Sequence, residues 1–177
     1  MTNTRTVFRT EWFEVEEEWF DGITSLRGRP HYRITSPDGV IVLAVTPHDE
    51  VVLVRQFRPA LRRWTLELPS GAVDAGESPA DAARRELFEE TGYLPADVAE
   101  LGAGRIMMNR HACRDFGFLA TGAVRDAAFQ PKEEIDVVLA PAAEFRRLVV
   151  SGEFEQLAAL GFVLISAWKL GRPLAAR

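Results

Sequence analysis

The sequence predicts a single α/β domain with a strand-rich leader, on three observations. A short helix with both ends marked lies near the middle of the chain, over residues 79–91. Apolar runs of strand length flank it on both sides. The chain then closes with an amphipathic helix and a longer apolar one. A length of 177 residues with 47% apolar side chains suits one domain with a sizeable core.

Residues 1–40 read as short strands and turns. Residues 9–20 alternate loosely between aromatic or apolar and charged side chains (Trp12, Phe13, Val15, Trp19, Phe20), and Asp21-Gly22 and Pro37-Asp38-Gly39 are turn signals. Residues 31–35 read as a further strand. Two uses of the rings stand: a sheet edge packed on the domain, or an interface or base-stacking platform. Residues 40–46 form a continuous apolar run between turn signals, the pattern of a buried strand, and residues 51–57 pair with it as a hairpin. Residues 64–68 precede Pro69-Ser70-Gly71. After the central helix, residues 99–108 look strand-like, with Gly102 and Gly104 as bulges or turns. A polar loop over 109–115 and a strand over 116–121 follow. Residues 126–134 are a polar loop, 135–140 a strand, 142–149 an amphipathic helix ending near Ser151-Gly152, and 154–170 a helix apolar nearly all round, a pattern that predicts burial against the sheet or a subunit partner.

Composition bounds the partners. The net charge of −5 gives no basic surplus for nucleic acid or membranes, and fits phosphate substrates only where cations bridge the two. The single cysteine, Cys113, fits a reducing cytoplasm. The first twenty residues lack a signal-peptide pattern, and no apolar run reaches the roughly 18 residues of a bilayer span.

The chemistry concentrates in residues 71–93. Ser78 suits a helix cap, Pro79 the first helical position, Asp81 the first turn and Gly92 the stop. Within the helix Glu86 faces Glu89 and Glu90, three and four residues on, with no lysine among them. One reading is a solvated acidic face with Arg84 and Arg85 as surface partners. The other is a site for hard divalent cations, which favour clustered carboxylates. The glycine loop from Gly71 to Gly76 lets backbone groups approach an ion or phosphate, and Glu77 is placed to hold Arg85 by paired hydrogen bonds.

The pattern G-x5-E-x7-R-E-U-x-E-E-x-G-U, with U bulky and apolar, is matched by Gly71, Glu77, Arg85, Glu86, Leu87, Glu89, Glu90, Gly92 and Tyr93. It resembles the Nudix hydrolases. The stretch V-L-V-R-Q-F-R followed by W-T-L-E-L-P-S-G is similar to their ADP-ribose pyrophosphatase and nucleotide-sugar branch. The resemblance implies an α/β/α sandwich with a mixed central sheet, the box helix on one side and the last helix on the other. It also implies an N-terminal β extension over residues 1–39 that forms a homodimer, ahead of a hydrolase domain over 40–177.

It implies site residues as well. Glu86, Glu89, Glu90 and the carbonyl of Ser70 are implied to bind Mg²⁺ or Mn²⁺, and Glu77–Arg85 to pin the loop on the helix. Glu133 or Glu134, with Glu89, is implied to serve the attacking water. Arg55, Arg58 and Glu67 become candidates for binding substrate, against a reading as surface charges. Arg110, in a local basic cluster with Arg105, His111 and Arg114, is a candidate phosphate contact. The implied reaction is hydrolysis of a nucleoside diphosphate linked to another moiety, with ADP-ribose as first substrate. GDP-mannose or another nucleotide sugar is the alternative, since residues 106–111 lack the proline common in the ADP-ribose branch. A non-catalytic ligand-sensing module is the reading from another class. A nucleoside triphosphate hydrolase is disfavoured by the N-terminal extension.

Overall fold

Alternation in two buried strands sets the architecture. The computed structural model describes residues 3–130 and 134–170. In β4 (Gly39–Val45) and β5 (Glu50–Arg58), Val40, Val42, Ala44 and Val52 point to one face of the sheet, while Ile41, Leu43, Val51 and Leu53 point to the other. Both faces are covered, which is why these segments read as continuous apolar runs rather than alternating ones. The central sheet runs β12-β5-β4-β10-β9, with β9 (Asp97–Gly104), β10 (Asp115–Thr121) and β12 (Ile135–Pro141). β4 and β10 are parallel and the remaining pairs antiparallel, giving the expected mixed sheet. Helix α1 (Pro79–Thr91) packs on the Val42 face, and α2 (Ala142–Ser151) and α3 (Leu157–Lys169) on the Leu43 face.

The hairpin of β4 and β5 is closed only at its turn, where Val45 pairs with Val51. Beyond that the two strands splay. β6 (Arg63–Glu67) takes the free edge of β5, and β7 (Ser70–Ala72) takes that of β4. The chain crosses the gap at Leu68-Pro69, where the Val42 N–H donates to the Pro69 carbonyl at 2.9 Å. This wedge delivers Ser70 and Gly71 to the N-terminal side of the box loop.

The leader forms its own antiparallel sheet of β1 (Asn3–Arg9), β2 (Glu14–Trp19) and β3 (His31–Thr35). Short strands and turns are what form here: β1 and β2 are joined by a turn in which the Thr10 hydroxyl accepts from the N–H groups of Trp12 and Phe13 at 3.1 and 3.0 Å. β3 ties this sheet to the domain through Ile34, which donates to the Arg110 carbonyl at 2.7 Å and accepts from the Ala112 N–H at 3.0 Å. Packing of most leader rings onto the domain is not what forms. The sheet stands apart from the central one, and Phe8, Trp12, Trp19 and Tyr32 are exposed in the single chain.

Two boundaries differ from expectation. β9 stops at Gly104, residues 105–107 are irregular, and a turn over 108–110 follows, with the Arg110 and His111 N–H groups both donating to the Met107 carbonyl at 3.1 and 2.8 Å. The bulge expected at Gly102 is present: its φ is +136° and the register against β10 shifts beside it. The last helix begins at Leu157 because Phe154 is buried in a bridge beside Leu66, its N–H bound to the Leu148 carbonyl at 3.0 Å. α3 buries one face through Ala159, Phe162 and Ser166 and leaves Leu157, Leu164 and Trp168 exposed.

Candidate active site

Helix α1 forms as its end signals dictate. The Ser78 hydroxyl accepts from the Asp81 N–H at 3.2 Å, Pro79 opens the first turn, and Gly92 closes the helix at φ +74°. Ala82, Ala83 and Leu87 face the sheet, which turns Arg85, Glu86, Glu89 and Glu90 toward the wedge.

Arg85 holds the loop and the helix together. It donates to both carboxylate oxygens of Glu77 at 2.9 Å, to the Ala72 carbonyl at 2.9 Å and to Glu86 at 2.7 Å. The paired bonds from Arg85 hold the Glu77 carboxyl below the usual range. Glu89 lies 3.8 Å from the same guanidinium. The loop closes on itself through reciprocal bonds between Asp74 and Glu77, and its Val73 N–H donates to the Asp38 carbonyl at 2.8 Å.

Gly71 is glycine for lack of room. A Cβ there would stand 2.1 to 2.4 Å from the Glu86 carboxylate, so Glu86 lies directly on the β7 backbone. Beside it Glu90 is largely buried and accepts the Ser70 N–H at 3.1 Å. Burial pushes its carboxyl up to about 7. The Ser70 N–H opposes this, and the nearby charge of Glu86 adds to it.

Arg58 and Glu67 meet each other on the same face. The guanidinium donates to both carboxylate oxygens at 2.7 and 2.5 Å, and the Thr65 hydroxyl donates to Glu67 at 2.6 Å. Burial would raise Glu67; the bonds from Arg58 and Thr65 outweigh it and hold the carboxyl below its ordinary range. Arg58 and Glu67 are also close enough for their charges to act on Glu90.

Arg55 is not brought to this cluster. Side chains alternate along β5, and Arg58 lies three positions further on, so the two point to opposite faces. Arg55 lies 3.5 Å from Asp136 and stacks over the Trp64 ring at 5.2 Å. Arg110 lines a cavity of about 670 Å³ between the leader sheet and the 108–112 loop, with Arg29, Arg33, His111, Phe20 and Tyr32. Glu134 is exposed just ahead of β12, and Glu133 lies outside the described residues. Two contributors escape a reading of the sequence. Thr65 carries the signal of standing two residues from Glu67 on a strand, hence on its face. Asp38 carries only a turn signal; its carboxylate takes the Arg114 N–H and guanidinium at 2.7 Å each, a partner far along the chain.

No three His, Cys, Asp or Glu side chains stand together as a ready-made cation site among the described residues. Glu86 is turned into Arg85, and Glu90 onto the Ser70 N–H. The donor set still fits a hard divalent cation: the charge of Glu86 adds to the cost of ionising Glu90, and the missing side chain at Gly71 lets the Glu86 carboxylate lie against the backbone beside it.

A NUDIX domain is recognised over residues 35–160. The chain belongs to the Nudix family. Among curated Nudix relatives, it is 41% identical over 70 residues to the ADP-ribose pyrophosphatase of Bacillus subtilis (strain 168), covering 40% of this chain and 38% of that one. It is 49% identical over 69 residues to the ADP-sugar pyrophosphatase of Mus musculus, covering 37% and 31%. The matches thus span about a third of those relatives' length. The crystal structure of an ADP compounds hydrolase superposes with a TM-score of 0.81 at 23% identity over 97% of this chain and 96% of that one, which shows the shared Nudix fold. Nudix hydrolases are in general dependent on divalent metals.

Proposed function

We propose that this chain hydrolyses the diphosphate linkage of a nucleoside diphosphate joined to another moiety, with ADP-ribose, giving AMP and ribose 5-phosphate, as first substrate. The observation that carries the reading is the Glu86–Glu90 pair, with Glu86 seated on the side-chain-free backbone of Gly71 and held by Arg85. The names of the Bacillus subtilis and Mus musculus relatives support the substrate class.

Glu86, Glu89, Glu90 and the Ser70 carbonyl are the groups that would hold Mg²⁺ or Mn²⁺. A bound divalent cation neutralises diphosphate oxygens and lowers the pKa of water. The chain's own part is positional. Arg85 and Glu77 fix the loop against the helix, and the Ser70 N–H keeps Glu90 aimed at the wedge. Arg58, anchored by Glu67, offers its remaining N–H groups to a phosphate. Glu134 or Glu133, with Glu89, takes the proton of the attacking water. Arg110 and the basic, ring-lined cavity beside it suit the remainder of a nucleotide.

A nucleotide sugar such as GDP-mannose is the second reading, favoured by the missing proline in residues 106–111. The ligand-sensing reading is disfavoured because every box glutamate is present. Residues 1–39 are read as a dimerisation extension, supported by the exposed rings of Phe8, Trp12 and Trp19, and the cytoplasm as the compartment, supported by the free thiol of Cys113. Sedimentation as a monomer at micromolar concentration would remove the dimer.

Purified protein with Mg²⁺, offered ADP-ribose, GDP-mannose, NADH and nucleoside triphosphates, tests the activity once products are separated. Cleavage of ADP-ribose to AMP is the expected result. No metal-dependent turnover of any of them overturns the proposal.

A further inference from the structure

The crossing at Leu68-Pro69 has one main-chain donor to satisfy. β6 ends its ladder where Glu67 pairs with Val54, and β7 begins its own where Ser70 pairs with Ile41. Between the two ladders Pro69 has no N–H, and Leu68 is fully buried. A buried N–H without a partner is costly, so the Leu68 amide needs an acceptor off the sheet. That acceptor is a side chain 88 residues further along the chain: the Leu68 N–H donates to Oε1 of Gln156 at 2.9 Å.

The Gln156 side chain serves this bond and nothing in its own helix. Gln156 is the residue before α3, and its carbonyl accepts the Leu160 N–H at 3.2 Å. That position favours Ser, Thr, Asp or Asn, whose side chains cap the helix, yet the Gln156 side chain makes no capping bond. The segment ahead of it lies along β6. Phe154 is bridged to Leu66, its ring edge-on to Phe145 with centroids 5.2 Å apart, and Glu155 is paired with Arg63. Residues 154–156 thus carry the position of α2 and α3 to β6 and to the crossing.

The crossing in turn sets Ser70. The Pro69 carbonyl accepts from the Val42 N–H, and the Ser70 N–H donates to Glu90 at 3.1 Å. Gly71 follows, with the Glu86 carboxylate seated on its backbone. The carboxylates themselves have a separate anchorage. Helix α1 is packed on the sheet through Ala82, Ala83 and Leu87, and beyond Gly92 the chain enters β8 (Tyr93–Leu94), which pairs with β11 (Val124–Arg125). A shift of the crossing therefore moves Ser70 and Gly71 against a helix that stays where it is.

We propose that Gln156 is a positioning residue for the candidate active site: by holding the Leu68 N–H it sets where Ser70 and Gly71 stand against Glu90 and Glu86. It acts through the main chain from Leu68 to Ser70 and not on the reacting atoms. A misplacement of about 1 Å in a reacting group can cost about a hundredfold in rate, so the bond matters for registration beyond what it adds to stability.

The kinetic test rests on the proposed hydrolase reading, and a measurement on metal-free protein stands apart from it. With ADP-ribose and Mg²⁺, Gln156→Met, which keeps the length of the side chain and removes the acceptor, is expected to lower kcat about tenfold to a hundredfold with KM within about twofold. Gln156→Glu, which keeps an acceptor oxygen at the same reach, is expected to stay within about threefold of wild type. In metal-free protein, hydrogen exchange at the Ser70 amide is expected to quicken about tenfold in Gln156→Met and to stay near wild type in Gln156→Glu, while the amides of β4 and β10 remain protected. Wild-type kcat in Gln156→Met overturns the proposal, as does equal loss in Gln156→Met and Gln156→Glu. If Gln156→Met does not fold, Gln156→Asn, whose carboxamide falls one methylene short of Leu68, takes its place in both comparisons. If the wild type turns over none of the four substrates, the hydrolase reading fails and the exchange measurement decides alone: unchanged Ser70 exchange in Gln156→Met removes the positioning role.

Discussion

The two faces of the central sheet use an arginine and a carboxylate in different ways. On the α1 face, Arg58 grips buried Glu67 with two bonds, and Thr65 adds a third. The pair sits within electrostatic reach of Glu90, itself held by a backbone N–H. On the opposite face, Arg55 and Asp136 approach only to 3.5 Å, both more than half exposed, and Arg55 spends its planar surface on Trp64. The difference teaches that burial, not pairing, makes a charge consequential: the exposed pair is solvated and screened, whereas the half-buried one carries a desolvation cost that Arg58 and Thr65 together offset.

The sharpest way to break that contrast is at Glu90. Glu90→Gln is expected to lower metal-dependent turnover by about 10²–10³-fold, the size of loss seen when one preorganised charge-stabilising group is removed. A variant cleaving ADP-ribose at the wild-type rate would end the assignment. The pH dependence of stability separates Glu90 from Glu67. Glu90 has its folded pKa raised from 4.5 to about 7, so the unfolded chain loses its proton first. In metal-free protein its stabilising share is full below pH 4.5 and is lost as pH rises toward 7, on the order of 3 kcal/mol by linkage. Glu67 has the opposite sign: its folded pKa is depressed, so its share is present above 4.5 and lost as pH falls through the folded value. Urea titrations across pH 4 to 8 should show a downward slope that Glu90→Gln flattens, and Mg²⁺ added at pH 7 should raise Tm.

Gly71→Ala tests the contact of Glu86 with the β7 backbone. The Cβ displaces the flexible end of Glu86 rather than backbone, so activity is expected to fall about tenfold to a hundredfold while Tm changes little. Gly76→Ala is the control for activity; its surroundings are open, and at φ +84° it meets only local strain, expected at about 1 kcal/mol. The smallest effects compare the arginines directly. Arg58→Ala leaves Glu67 buried without its partner and is expected to cost about 1–3 kcal/mol, less than a fully buried pair because the Arg58 side chain is 40% exposed. Arg55→Ala is expected to cost about 1 kcal/mol or less and to leave kcat/KM unchanged.

What could be read from the sequence was what local rules govern. The caps of α1, the αL glycine at Gly92 and the Glu77–Arg85 pair follow from spacing along one helix and its loop. The buried strands β4 and β5 follow from their apolar runs. What could not be read depended on register or on remote partners. Arg55 and Arg58 look alike in R-Q-F-R, and only the pleat separates them. Asp38 and Arg114 lie in two turns with nothing in either to name the other. The leader rings read as a sheet edge packed on the domain or as an interface, and their sheet, tied to the domain at Ile34, leaves Phe8, Trp12 and Trp19 exposed.

The splayed hairpin has a bearing on how such a protein can change. Its wedge is sealed by main-chain bonds, Val42 to Pro69 on one flank and Val73 to Asp38 on the other. Side chains at Asp74 and Ala75, both exposed, are therefore spectators to the seal, whereas Val73 packs on the core beneath α1. Libraries that diversify those two exposed positions should keep the loop seated while altering what it meets, which makes this segment the natural starting point for retuning selectivity without rebuilding the scaffold.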